Sequence, residues 1–203
     1  MKLRHLESAL DSVDVFEDPK IHLEQIPTSA HLASRMIHTA AETYGDIDER
    51  FVGDFGVGTG MLSIASRLMG AYHVVGVDVD QEALDTAWVN LKKNEIDCVD
   101  LIQSDVQSIS FSWDFDTVVM NPPFGTRNTG IDTLFMCKAM ESSSVVYSLH
   151  KTSTRPHFLK LAERNGWTLE VLAEMRYDIP RTHKFHKQKS KDIEVDLYRV
   201  SHV

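Results

Sequence analysis

Residues 51–80 read FVGDFGVGTGMLSIASRLMGAYHVVGVDVD. Phe51–Phe55 is a short apolar strand that runs directly into Gly56-Val-Gly58-Thr-Gly60. From Met61 to Leu68 the apolar residues fall at helical spacing. Val74–Val79 is a second strand, β-branched and almost wholly apolar. Strand, glycine turn, helix and strand make a βαβ unit whose first turn lets the backbone approach a ligand closely. The dinucleotide fingerprint needs Gly-x-Gly-x-x-Gly, and its third glycine would fall at Met61. Here the run is Gly-x-Gly-x-Gly, with Asp54 two residues ahead.

The alternation continues outward. Leu84, Ala87, Trp88 and Leu91 lie along one helix face, and Val99–Gln103 and Asp116–Met120 are strands three and four. Leu134–Met140 is a helix, Val145–Leu149 a strand, and Phe158–Arg164 a helix that stops near Gly166. Thr168–Met175 and Ile193–Val200 close the chain as strands. The polar stretch between them leaves no room for a helix, so they pair antiparallel. On the N-terminal side, Leu3, Leu6, Leu10 and Val13 mark a short amphipathic helix that Asp18-Pro19 breaks. Thr28 or Ser29 caps a second helix with Leu32, Met36, Ala40 and Tyr44 on one face. The pattern predicts an α/β, Rossmann-like fold: a mostly parallel seven-stranded sheet with one antiparallel strand and helices on both faces. That arrangement resembles the class I methyltransferases. The expected organisation is a single domain over 1–203, with 1–45 as an N-terminal helical cover and 46–203 as the core.

Composition narrows the function. The 203 residues are 42% hydrophobic and 25% charged, as in an ordinary globular chain. A net charge of −9 excludes a globally basic nucleic-acid binder. Only Cys98 and Cys137 occur, which excludes a disulfide framework and a four-cysteine zinc site. The ten His are scattered without zinc spacing, so no metal is expected. Glu7, Asp11 and Asp14 interrupt any signal peptide, and no run approaches the ~20 apolar residues of a membrane helix. The expectation is a soluble, intracellular chain.

Four sites follow the strand ends in order. The glycine loop resembles an S-adenosylmethionine loop, and the helix after it favours a carboxylate or phosphate at its N-terminus. Asp78 ends strand two at the distance expected of a ribose-binding acid, whereas Asp80 looks like a helix cap. Asp105 follows strand three where methyltransferases place an acid on the adenine amino group, with the next backbone N–H, that of Val106, on the ring. Asn121-Pro122-Pro123-Phe124 follows strand four and looks like the motif of enzymes that methylate a planar, conjugated nitrogen. Such an amine is a poor nucleophile because its lone pair is delocalised. The Asn121 side-chain oxygen and the Pro122 carbonyl can each accept one of its N–H groups, which localises the pair. The two prolines stiffen the turn, and Phe124 can stack on an extruded base.

A fifth feature spans 181–191. Arg181, Lys184, Lys187, Lys189 and Lys191 fall in this short stretch without an acid, and sixteen basic residues remain elsewhere against 30 acidic ones. Basic charge so concentrated is a footprint for phosphates. Its place between the last two strands puts it at the carboxyl edge of the sheet, where ligands bind.

Several of these pieces together resemble the methyltransferase-like protein 5 family of eukaryotic small-subunit ribosomal RNA adenine-N6 methyltransferases. They are Val15-Phe-Glu-Asp-Pro-Lys20, Glu24-Gln25-x-Pro-Thr28, the glycine loop, the Asn-Pro-Pro-Phe motif and Lys184-Phe-His-Lys-x-Lys-Ser-x-Asp-Ile-Glu-Val-Asp196. The resemblance implies S-adenosyl-L-methionine as cofactor. It implies that Gln25 and Thr28 close over it from the N-terminal side, and that Gly56, Thr59, Met61, Asp78, Asp105 and Val106 contact it beside Asp54, Gly58 and Gly60. The chain departs from the family at Ile26, where Tyr is usual, and at Thr59 and Met61. The resemblance also implies a small zinc-binding methyltransferase activator subunit as a heterodimer partner, and a nuclear (nucleolar) and cytoplasmic location. Strand 99–103, at the expected sheet edge, holds Val99, Leu101 and Ile102 without Lys or Pro, and such an edge invites strand addition. The alternative is an edge covered by the chain's own N-terminal helix. Two competing functions are a protein-glutamine N-methyltransferase, which would not need the basic loop, and a non-catalytic RNA-binding scaffold, against which Asn121 and Asp78 argue.

Overall fold

The computed structural model describes residues 1–178 and 192–202. Seven strands form one sheet: β1 (Phe51–Phe55), β2 (His73–Asp78), β3 (Val99–Gln103), β4 (Phe115–Met120), β5 (Ser143–Lys151), β6 (Trp167–Asp178) and β7 (Asp192–His202). Their order is β3-β2-β1-β4-β5-β7-β6. β1 to β5 are mutually parallel, and β7 runs antiparallel between β5 and β6. The expected sheet is present, with its one reversed strand at the expected place.

Helices cover both faces because the strands are apolar on both. α1 (Leu3–Leu10), α2 (Ala30–Glu42), α3 (Met61–Leu68) and α4 (Gln81–Lys93) lie on one side. There Leu6, Leu10, Met36, Ile37 and Ile64 pack on Val52, Val74 and Val119 in a buried cluster. α5 (Ile131–Ser142) and α6 (Arg155–Arg164) cover the other side, where Met136 and Phe158 join Phe55, Val77, Phe115 and Tyr198. Between β3 and β4 no helix forms among residues 104–114; Val106, Ile109 and Phe111 pack directly into that second cluster.

Several boundaries differ from the sequence pattern. β6 and β7 are longer than the apolar runs that mark them. They zip in antiparallel register through outward polar residues such as Glu170, Glu174 and Glu194, which hide the strand signal. β2 ends at Asp78, so Val79 lies beyond it and is 51% exposed. Trp88 does not join the buried face of α4; it is exposed and lies under the Lys92 ammonium, 4.3 Å from the ring centre. Tyr44 falls past the end of α2 and meets Tyr147 edge-on.

The order β2-β1-β4-β5 reverses direction of winding between β1 and β4. In such sheets the crevice at that reversal, at the carboxyl ends of the strands, receives ligands. Asp54–Met61 and Asn121–Phe124 both leave the sheet there.

Candidate active site

A cleft of about 280 Å³ opens at this crevice. Its floor is Asp54, Gly56, Val57, Gly58, Thr59, Met61 and Leu62, from the end of β1 through the start of α3. One wall is Asp78, Val79, Asp105, Val106 and Gln107; the opposite wall is Asn121, Pro123, Asn128, Ile131 and Phe135. Phe16 and the segment Leu23–Thr28 form the roof.

The floor turns through glycine. Gly58 has φ +53° and Gly60 φ +86°, conformations that strain other residues. A Cβ at Gly58 would come 3.2 Å from the Phe16 ring, so the loop and the roof meet closely enough that any larger residue would push the ring aside. The Gly58 N–H donates to Asp78 Oδ2 at 2.9 Å, and the Asp80 N–H donates to Asp78 Oδ1 at 3.0 Å. Burial raises the Asp78 carboxyl above its ordinary range, while these backbone donors oppose the rise. Asp54 is 1% exposed; its Oδ2 accepts the Ser63 hydroxyl at 2.6 Å and its Oδ1 has no partner among the described residues. Burial pushes it up to about 7. An acceptor left open on the floor, a second carboxylate on the wall and a glycine cradle between them fit a ligand bearing a cationic amine and vicinal hydroxyls. A sulfonium nucleoside with an amino-acid tail is such a ligand.

The roof is a strap, residues 15–28, tied at both margins of the cleft. On one margin Lys20 Nζ meets Asp80 Oδ1 at 2.6 Å, and Gln25 Nε2 donates to Asp80 Oδ2 at 2.7 Å. Burial favours a neutral Asp80, yet its bonds from Lys20, Gln25 and the Glu82 N–H hold it below the usual carboxylate range. Asp80 thus caps α4, as its position in the sequence suggests, and also anchors the strap. On the other margin Glu24 accepts from the backbone N–H groups of Thr126, Arg127 and Asn128 and from the Thr126 hydroxyl. Glu24 is itself left-handed, with φ +52°. Both ends of the Gln25 amide are spent within the strap margin, since its Oε1 accepts the Lys20 N–H at 2.7 Å.

At the end of β4, Asn121 Nδ2 donates to Thr28 Oγ1 at 3.0 Å. Asn121 Oδ1 is buried and has no partner among the described residues. The Asn-Pro-Pro-Phe motif therefore places at the cleft wall an amide bonded at its nitrogen end and without a partner at its oxygen end among the described residues.

Most residues singled out from the sequence converge: Gln25, Thr28, Asp54, Gly56, Gly58, Thr59, Met61, Asp78, Asp105, Val106, Asn121 and Pro123 all line the cleft. Gly60 lies behind it as the residue before α3. Pro122 is buried behind Asn121. Phe124 is 6% exposed and packs with Leu32 and Val195; it is not among the residues that line the cleft. The Lys151 ammonium sits 6.0 Å from its ring. Arg181, Lys184, Lys187, Lys189 and Lys191 lie outside the described residues. The described ends of β6 and β7, at Asp178 and Asp192, are at the same sheet edge as the cleft. Sequence reasoning did not place Phe16, Glu24, Val79, Asn128 and Phe135 at the site, which they line. Among the described residues no group of three His, Cys, Asp or Glu could hold a metal, and no helix is long and apolar enough to cross a membrane.

The family model "Methyltransferase small domain" matches residues 32–142. The rRNA N(6)-adenosine-methyltransferase METTL5 of Danio rerio is 51% identical over 99% of this chain and 99% of its own length. The Drosophila melanogaster rRNA N(6)-adenosine-methyltransferase Mettl5 is 50% identical over 98% and 96%. A crystal structure of a candidate RNA methyltransferase from Pyrococcus horikoshii superposes with a TM-score of 0.89 at 35% identity, over 100% of this chain and 97% of that one.

Proposed function

The chain belongs to the rRNA N6-adenosine methyltransferases, within the methyltransferase small-domain family, and from that premise we propose that it methylates N6 of an adenosine in small-subunit (18S) ribosomal RNA. The cofactor is S-adenosyl-L-methionine. The observation that carries the reading is the Asn121 amide at the cleft wall, held through Nδ2 with a buried Oδ1 that has no partner among the described residues.

The residues divide the work. Asp78 takes the ribose hydroxyls of the cofactor on the carboxylate lone pairs that Gly58 and Asp80 leave free. Asp54 faces its cationic amine, Asp105 and the Val106 N–H hold its adenine, and the Gly56–Met61 turn and the roof at Gln25 and Thr28 enclose it. When bound, the cofactor supplies a methyl group activated by a sulfonium. Asn121 Oδ1 and the Pro122 carbonyl accept the two N–H groups of the target amine and turn its lone pair out of the ring plane. The nitrogen attacks in line, and its surplus proton leaves to solvent after transfer, so no strong general base is required. Pro123 stiffens the turn. Phe124 stacks on the base only after its ring leaves the cluster with Leu32 and Val195.

Arg181, Lys184, Lys187, Lys189 and Lys191 supply phosphate contacts at the same edge. The chain acts as one domain over 1–203, with 1–45 as the cover. A small zinc-binding activator subunit adds a strand to β3, which is the sheet edge; α1 packs instead on α2 and α3. The enzyme works in the nucleus, including the nucleolus, and in the cytoplasm. The test is transfer of labelled methyl from the cofactor to total RNA and, separately, to total protein. Label recovered as N6-methyladenosine in small-subunit RNA is the expected result; label on protein glutamine overturns the reading.

A further inference from the structure

The Asn121 amide can serve a target amine in only one of its two orientations. An exocyclic amine offers donors, so the oxygen must face it; the reversed amide would set N–H against N–H. Here the nitrogen is the bonded end and the oxygen is left without a partner among the described residues. What touches the amide lies 93 residues away: Thr28 Oγ1, 3.0 Å from Nδ2. Thr28 is held firmly. It precedes Ser29, whose hydroxyl caps α2 by accepting the Leu32 N–H. Four residues earlier Glu24 is clamped by three backbone N–H groups, and Gln25 is bonded to Asp80. A hydroxyl pinned on both sides is a fixed reference point for a side chain that must be preorganised.

We propose that Thr28 is a positioning residue for methyl transfer, its hydroxyl oxygen accepting the Asn121 amide N–H so that Asn121 Oδ1 is presented to the target amine. The proposal rests on the reading of Asn121 given above. It makes the strap more than a cover. The segment that roofs the cleft also holds the group that receives the base.

The experiment uses the full chain with cofactor, together with its partner if required for solubility. Thr28→Val keeps the shape and removes the acceptor; Thr28→Ser keeps the acceptor. At saturating cofactor and RNA, Thr28→Val is expected to lower kcat roughly 3- to 10-fold, the worth of one neutral hydrogen bond, with KM for RNA unchanged. Thr28→Ser is expected to stay near the wild-type rate. A wild-type kcat in Thr28→Val, a loss fully recovered by more cofactor, or a Thr28→Ser enzyme as slow as Thr28→Val overturns the proposal. If Thr28→Val does not fold, Thr28→Ala serves in the same assay.

A second readout does not depend on the substrate. In a ¹H–¹⁵N spectrum the Asn121 side-chain NH₂ pair, assigned by its loss in Asn121→Ala, should move in Thr28→Val and stay in Thr28→Ser. An unmoved pair overturns the positioning role whatever the enzyme methylates. An enzyme that transfers no methyl to adenine while the pair moves as expected overturns the functional reading instead.

Discussion

Asp54, a buried side chain, and Asn121, a half-buried one, share a peculiarity: each has one buried oxygen left without a partner among the described residues. Buried polar atoms are nearly always paired, so two orphans lining one cleft mark places where something else completes the bonding. For Asn121 the proposed function makes that the target amine. Asn121→Ala should lower single-turnover methylation ~100- to 1000-fold, as removal of a positioned transition-state hydrogen bond does, and leave cofactor affinity unchanged in calorimetry. For Asp54 the consequence is a pH dependence. Its carboxyl, pushed up to about 7 by burial, takes a proton on folding that the unfolded chain does not hold until its ordinary range near 3.8. The folded-state value is the raised one, so this contribution to stability is complete below the ordinary range and is lost as pH rises through about 7. The cofactor-free protein should therefore melt lower at pH 8 than at pH 6. Asp54→Asn should flatten that part of the profile, which a series of thermal melts would read. A slope unchanged by Asp54→Asn would place the titration elsewhere.

The strap is the element whose role the fold alone does not suggest. It crosses from the α4 cap at Asp80 to the loop after Phe124, and each margin is closed by charge-assisted hydrogen bonds, the stronger kind. Burial would raise the Glu24 carboxyl, but the Thr126 hydroxyl and the three N–H groups together hold it below its usual range. Glu24→Gln keeps the shape and one acceptor but removes the charge. It should weaken cofactor binding about tenfold, the effect of losing ~1.5 kcal/mol of closure. It should also hasten proteolytic cutting between residues 15 and 28. Unchanged cofactor dissociation together with an unchanged digestion pattern would show that the clamp does not hold the roof. The sequence signals for this element were sparse. Val15–Lys20 and Glu24–Thr28 stood out only through resemblance, because a strap has neither helical nor strand periodicity. What Glu24 binds lies about a hundred residues away.

At the scale of the whole molecule, charge and sheet edges decide what it meets. The chain is acidic overall, and the five basic residues of 181–191 fall in sequence between β6 and β7, whose described ends lie at the cleft's edge. Neutralising Lys184, Lys187 and Lys189 together should lower RNA affinity and reduce the slope of log affinity on log salt by ~0.7–0.9 per lost phosphate contact, with cofactor binding intact. A wild-type salt slope in that variant would make the loop a solubilising surface only. The other edge is β3. Its Leu101 and Ile102 are half-buried, and it carries no proline or lysine to discourage pairing. Leu101→Lys should weaken association with an activator subunit by at least tenfold in a pull-down titration. A chain that is monodisperse and fully active alone would remove the need for that partner.

The sequence by itself determined the sheet and the order of the sites along it. Apolar runs alternating with helical spacing admit few packings, and in a parallel sheet every strand delivers its following loop to the same edge. Asp54 is the last residue but one of β1, Asp78 ends β2, and Asp105 and Asn121 lie just beyond β3 and β4, so their convergence was legible before any contact was known. Tertiary structure alone decided how those groups are held. Asp78 depends on the Gly58 N–H, Asp80 on Lys20 and Gln25, and Asn121 on Thr28, partners separated by 20, 60, 55 and 93 positions. Tertiary structure also packed Phe124 with Leu32 and Val195, which are distant in the chain. Local periodicity reports which face of an element is buried. Which polar atom meets which across the cleft is set by loop closure between elements, and no local pattern encodes it.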